Sequence, residues 1–210
     1  MVRRILAPMT RGIATRTLAT PQLVLQPFRR RDVSSLAEAV EVSNDDLVRW
    51  LPWAHRGYGR ADAVGFIRES MTAWRDGRAY DFSIRSVDDP DRHLGNISVW
   101  PTNRTGLIGE MGYWVRSDET GKGIASQAGA RMVQLAFEDL GMHRVVMRIA
   151  VGNEASERVA VKLGFAREGL LRQEVKVAGE WLDHSAWGIL RTEFETEKPR
   201  YQAQGWLRPA

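Results

Sequence analysis

Two glycines set one residue apart, where a strand-like run meets a long amphipathic segment, restrict the fold of this chain more than any other feature. The run is Glu110-Met111-Gly112-Tyr113-Trp114-Val115, and the junction reads Gly121-Lys122-Gly123-Ile124-Ala125. Glycine has no Cβ, so the main chain can turn sharply there and a ligand can approach it closely. The first N–H groups of the helix that follows have no intrahelical partner and point into the turn. The pattern is strand, turn, helix, with an anion cradle at the turn suited to a pyrophosphate. A tight turn without a ligand meets the same spacing, so the neighbouring sequence has to separate the two.

Two known phosphate loops fail here. A P-loop needs G-x-x-x-x-G-K-S/T, which occurs nowhere in the chain, and this argues against nucleoside triphosphate hydrolysis. The dinucleotide fingerprint G-x-G-x-x-G breaks at its third glycine, where Ser126 stands. About twenty residues further on, where that fingerprint needs an acidic side chain, the chain reads Gly141-Met142-His143.

Periodicity gives the coarse element order. Residues 22–28 alternate as a half-buried strand. Asp32 stands where it would cap a helix carrying Val33, Leu36, Ala37 and Val40 on one face. Residues 45–53 read as a second short helix or turn ended by Pro52, and 61–76 as a third helix. Strands are expected over 80–87, 93–100 and 109–116, the first two joined by the turn Asp88-Asp89-Pro90-Asp91. A helix over 123–140 closes at Gly141. Then come strand 144–151, helix 154–163 and a hairpin of 166–177 with 180–190, turning at Ala178-Gly179. Residues 1–20 are expected as a basic, loosely ordered extension, 21–194 as one α/β domain, and 195–210, polar and punctuated by proline, as a tail.

Beyond strand 144–151 stand Asn153-Glu154-Ala155-Ser156 and Lys162-Leu163-Gly164-Phe165. Together with the glycine turn, these resemble the GNAT N-acetyltransferase superfamily. Its pyrophosphate loop reads R/Q-x-x-G-x-G/A, and residues 120–125 match it except at Thr120. The Asn-x-x-Ser spacing, Leu51-Pro52-Trp53 and Glu168-Gly169 are similar to the ribosomal-protein (RimJ/RimL-like) branch. The resemblance covers roughly 22–192. It implies a mixed, mostly antiparallel, seven-stranded sheet flanked by helices and splayed between its fourth and fifth strands, 109–116 and 144–151.

The resemblance also implies roles. Acetyl-CoA would lie in the splay, its pantetheine arm pairing with the backbone of Tyr113, Trp114 and Val115. Its pyrophosphate would sit on the N–H groups of Gly121, Lys122, Gly123, Ile124 and Ala125. Lys122 is either an added attraction for phosphate or a solvated lysine. Glu110 is expected as general base toward the attacking amine, directly or through water, against the alternative of a structural carboxylate. A backbone N–H near Trp114 or Val115 would meet the oxyanion. Many members carry a tyrosine seven residues after the motif asparagine to serve the leaving thiolate. That position is Ala160 here, so Ser156 is expected to hydrogen-bond the sulfur. Asn153 would hold a pantetheine amide or a substrate carbonyl while capping its helix. Trp50, Trp53 and Tyr58 either pack in the core or line the acceptor groove.

Composition narrows the partners. The hydrophobic content of 43% in 210 residues suits one domain with a sizeable core. No cysteine is present, which removes thiol nucleophiles and thiolate metal sites and fits a reducing cytoplasm. His55, His93, His143 and His184 show no metal-ligand spacing, and no apolar run approaches the ~20 residues that span a membrane. Residues 1–31 hold seven arginines and no acidic side chain. That basic end is a leader, an organellar transit signal or a weak RNA tether steering the domain to its substrate. The leading expectation is acetyl-CoA-dependent acetylation of a protein N-terminus, such as that of a ribosomal protein, by a monomer or homodimer. A small-amine acetyltransferase and a non-catalytic CoA- or RNP-binding module are the alternatives.

Overall fold

Alternating apolar and polar residues build one sheet, and the computed structural model, which describes residues 16–208, shows it with eight strands. In chain order these are β1 (Leu18–Ala19), β2 (Leu23–Pro27), β3 (Tyr80–Ser86), β4 (Gly95–Asn103), β5 (Ile108–Val115), β6 (Arg144–Ala150), β7 (Ala166–Val177) and β8 (Glu180–Leu190). Their spatial order is β1-β2-β3-β4-β5-β6-β8-β7. Every neighbouring pair is antiparallel except β5 with β6. A parallel pair needs a crossover, and here α3 (Ile124–Gln134) supplies it. The other helices are α1 (Val33–Trp50), α2 (Arg60–Asp76), α4 (Glu154–Lys162) and α5 (Arg191–Ala203).

The two faces of the sheet carry separate cores. One joins Phe82, Ile97, Met111, Val145 and Ile189 of the strands to Met132 and Phe137 and to Phe194 and Tyr201 of α5. The other joins Leu36, Val40 and Leu47 of α1 and Ile67 of α2 to Phe28 and Trp114. A domain with a helical layer on each face of a mixed sheet results.

Four sequence expectations change. The expected sheet of seven strands gains an eighth, because Leu18 and Ala19 pair with Leu25 and Val24 and Leu18 and Thr20 are buried. The domain therefore begins inside the expected 1–20 extension, whose residues 1–15 lie outside the described residues. The segment expected as a short second helix continues α1 instead: the inner stripe of Leu36, Val40 and Ser43 extends to Leu47, and no helix breaker intervenes. Residues 195–203, expected as tail, belong to α5. Phe194 and Tyr201 lie seven residues apart on one face and are fully buried, and Leu207 follows them into the core. The long helix after the glycine turn ends early, at Gln134, and gives way to a wide π-type turn over Leu135–Asp139.

Asp32 also differs from its expected use as a cap. Its side chain makes no cap bond to α1; it accepts the Arg29 N–H at 2.7 Å and a guanidinium N–H of Arg85 at 3.0 Å. Arg85 in turn donates to the carbonyls of Pro90 and Asp91. The pair is 4% and 8% exposed, so its charges depend on each other rather than on water. Removing one partner would strand the other, a loss of roughly 3–5 kcal/mol for pairs of this kind. We expect Asp32→Ala to lower unfolding stability by about 3 kcal/mol in a urea titration; a change below about 1 kcal/mol would show that water replaces the carboxylate.

Candidate active site

The parallel pairing between β5 and β6 is short. It runs through Ile108 with Arg144, Gly109 with Val145 and Glu110 with Val146, and then stops. β5 nevertheless stays paired with β4 as far as Val115, and β6 stays with β8 as far as Ala150. Each strand is held by its outer neighbour, so the sheet splits instead of fraying. The facing edge of residues 111–115 is left without a partner strand, a template for extended backbone.

The split opens into a cavity of about 840 Å³. Because successive side chains on a strand point to opposite faces, its walls draw on both sides of the sheet. Glu110, Trp114 and Arg148 come from the α1–α2 side, and Tyr113, Met147 and Ile149 from the α3–α4 side. The cavity therefore passes through the plane of the sheet.

Glu110 sits on the last paired rung, at the apex of the split. Its side chain is 14% exposed, and Arg148 Nη2 lies 3.4 Å from its carboxylate. Burial pushes its acidity toward higher pH, the Arg148 charge opposes this, and the Glu174 charge adds to it. Arg148 also pairs with Glu174 at 2.6 Å, which leaves Oε2 of Glu174 buried without a partner among the described residues. One guanidinium thus serves two carboxylates.

Across the split, Asn153 caps α4. Its side chain accepts the Ser156 N–H at 3.1 Å, as its place before the helix predicts. Both residues line the cavity. The hydroxyl of Ser156 lies 3.0 Å from the phenol oxygen of Tyr113, a residue read from sequence only as a backbone partner. Ala160, at the usual tyrosine position, is fully buried and offers no polar group.

The glycine turn stands beyond the cavity, at the start of α3. Gly121 and Gly123 have φ of +78° and +80°, in the left-handed region, and no atom lies within 4 Å of where a Cβ would sit on either. The main chain at Gly121 and Gly123 is therefore open on the side where a Cβ would stand. Ile124 turns its side chain into the core, so it can act only through its N–H. Lys122 is tied to Glu119 at 2.8 Å, and Glu119 also meets Arg92 at 2.7 Å. Its charge is engaged beside the turn rather than aimed into it.

Trp50, Trp53 and Tyr58 all reach the cavity, together with Trp100 and Trp114. Trp53 contacts the rings of Tyr58 and Trp114 at centroid distances of 5.9 and 6.3 Å, and it is 42% exposed. Together they form a half-open aromatic wall of the cavity. Behind it, the His93 ring stacks between Phe28 and Trp114. Burial drives that histidine down to about 3, so it stays neutral.

Sequence reading missed Arg148, Glu174 and the Tyr113 hydroxyl. Period two along β6 hints at Arg148, since Val145, Met147 and Ile149 face the core and leave 148 for the other side. Glu174 carries no such signal, because register shifts in the β7–β8 pairing intervene before it. No group of three or more metal-ligating side chains occurs among the described residues, and no helix there is long and apolar enough to cross a membrane.

Comparison with known proteins places the fold in a family. Residues 22–166 match the acetyltransferase (GNAT) domain family. The ribosomal-protein-serine acetyltransferase of Escherichia coli is 35% identical over 151 residues, covering 72% of this chain and 83% of its own. Among solved structures, Mycobacterium smegmatis RimJ in complex with CoA-disulfide superposes with a TM-score of 0.78 at 24% identity, over 88% of this chain and 93% of its own. RimL, a ribosomal L7/L12 α-N-protein acetyltransferase bound to coenzyme A, superposes with a TM-score of 0.77 at 20% identity, over 83% and 98%. The chain belongs to the GNAT acetyltransferase family.

Proposed function

We propose that this protein transfers an acetyl group from acetyl-CoA to the N-terminal α-amine of a protein, a ribosomal protein being the leading candidate. The observation that carries the proposal is the split between β5 and β6, with a cavity that passes through the sheet and a carboxylate at its apex. The relatives named for ribosomal-protein acetylation support the acceptor class. Arginines in the basic segment 1–31 would add attraction toward an RNA-rich particle.

The residues fit the coenzyme. Gly121 and Gly123 leave the main-chain N–H groups of the turn open for a diphosphate, and the unpaired edge of Tyr113, Trp114 and Val115 suits an extended amide-bearing arm. Acetyl-CoA, when bound, supplies the acyl group as a thioester. The chain does the rest. Trp50, Trp53 and Tyr58 guide the acceptor to the apex. Glu110 takes up a proton from the incoming amine, directly or through water. Asn153 holds an amide, Ser156 meets the sulfur, and a backbone N–H near Trp114 or Val115 meets the acyl oxygen.

Proton removal distinguishes acceptors. An α-amine with pKa near ~8 costs about 1.4 kcal/mol to neutralise at pH 7, and a lysine near ~10.4 costs about 4.6 kcal/mol. A single half-buried carboxylate, weakened as a base by Arg148, suits the easier of the two.

Three measurements test the proposal. Mass spectrometry of acetyl transfer to a panel of N-terminal peptides and small amines should show peptide α-amines modified first; exclusive modification of small amines would replace the acceptor. With the best acceptor, Glu110→Gln should lower kcat/KM about a hundredfold. The wild-type acid limb, in which activity falls as pH drops through the raised carboxylate pKa, should vanish in that variant; an unchanged profile removes Glu110 as base. For the turn, Gly123→Val places a Cβ on a left-handed residue and should weaken CoA binding at least about tenfold by calorimetry. Unaltered affinity would move the diphosphate elsewhere.

A further inference from the structure

Tyr113 and Ser156 meet across the split, although one lies on β5 and the other in the first turn of α4. Their oxygens are 3.0 Å apart. Ser156 is held at a second point, because its backbone N–H donates to Asn153 Oδ1. A serine fixed through both main chain and side chain has a single hydroxyl hydrogen left to aim, and both residues face the cavity. We propose that Tyr113 is a positioning residue: its phenol donates to the Ser156 oxygen and turns the serine O–H onto the sulfur of the bound coenzyme. The inference rests on the acetyl-CoA reading above and deepens it.

The direction of the bond follows from the chemistry of the two hydroxyls. Phenol is the more acidic, so it is the better donor and the serine oxygen the better acceptor. Burial pushes the Tyr113 phenol up to about 12, with the Ser156 bond acting in the opposite sense. A thiol titrates near ~8.5, so passing the phenol proton to the sulfur would run more than about a thousandfold uphill. Tyr113 keeps its proton and works as a permanent donor.

The step balances without an acid. The amine nitrogen forms its bond to the acyl carbon, the C–S bond breaks, and its electron pair stays on sulfur as a thiolate. The proton of the amine leaves through Glu110 or water, and the sulfur takes a proton from solvent afterwards. Ser156 needs only to hydrogen-bond the departing sulfur. This arrangement fills the gap left by Ala160, whose methyl offers nothing to the leaving group.

The test reads the sulfur itself. CoA is bound to the wild type, Tyr113→Phe, Ser156→Ala and the double variant, and its thiolate is followed by ultraviolet absorbance from about pH 6 to about pH 10. A donor on sulfur favours the anion, so the bound thiol should titrate about one unit higher in Tyr113→Phe than in the wild type, a tenfold change in thiolate fraction. Ser156→Ala should match or exceed that shift, and the double variant should go no further than Ser156→Ala. Arg148, His184 and Glu110 also line the cavity, and they are unchanged throughout. In turnover, Tyr113→Phe should lower kcat about tenfold while KM for acetyl-CoA stays within about twofold. Identical thiol titrations in wild type and Tyr113→Phe, or shifts that add in the double variant, overturn the inference and leave the acetyltransferase reading intact. Failure of the wild type to bind CoA at all overturns both.

Discussion

The site depends on one constraint: β5 and β6 are each bonded to an outer neighbour along their full length, but to each other for three rungs only. A sheet that loses a central ladder normally leaves donors and acceptors stranded, at a cost comparable to a lost hydrogen bond for each. Here the outer ladders keep both strands rigid while the inner edge of residues 111–115 remains open. The unpaired groups at this edge are a template onto which extended backbone-like chain can be added. Apolar side chains filling the gap would satisfy none of them, whereas a strand-like arm can.

Once the split exists, strand alternation sorts the chemistry. Odd-numbered Tyr113 projects toward α4 and even-numbered Glu110 and Trp114 toward α1 and α2, so the Tyr113–Ser156 pair and the Glu110 carboxylate occupy opposite faces of one sheet. The carboxylate at the apex is not left alone with its burial. Arg148 draws its acidity back toward the ordinary range, and Glu174 offsets part of that pull. Arg148, shared between two carboxylates, thus opposes the rise that burial imposes on Glu110 without cancelling it.

Much of this was legible from residue order. The glycine turn, the capped helix at Asn153 and the hairpin turning at Ala178-Gly179 are local features, and each is found where its chemistry puts it. What could not be read depends on contacts distant in sequence. Residues 195–203 looked like a polar tail because Pro199 and the charged surface hide Tyr201, which matters only once the core exists to receive it. Asp32 looked like a helix cap because nothing local announces Arg85, 53 residues away. Tyr113 and Ser156 lie 43 residues apart, and only the crossover through α3 brings their hydroxyls together.

The aromatic wall of the cavity gains its shape from behind. Trp114 is nearly buried, yet its ring forms part of the cavity and contacts Trp53, so its orientation sets where the half-open aromatic segment can rest. Its other neighbour is His93, stacked at 5.9 Å and 25°. A histidine in a fully buried stack has a large desolvation cost if charged, and two nearby guanidinium groups, Arg85 and Arg116, deepen the bias toward the neutral ring. Its Nε2 meets Asn96, itself a cavity residue. The same Arg85 anchors the start of α1 through Asp32. One buried cation therefore fixes the entry of the helix that carries Trp50 and disfavours charge on the ring that supports Trp114. The aromatic side of the cavity is thus tied to the core by polar groups that would be costly to leave unpaired, and this holds its wall in place beside the apex of the split.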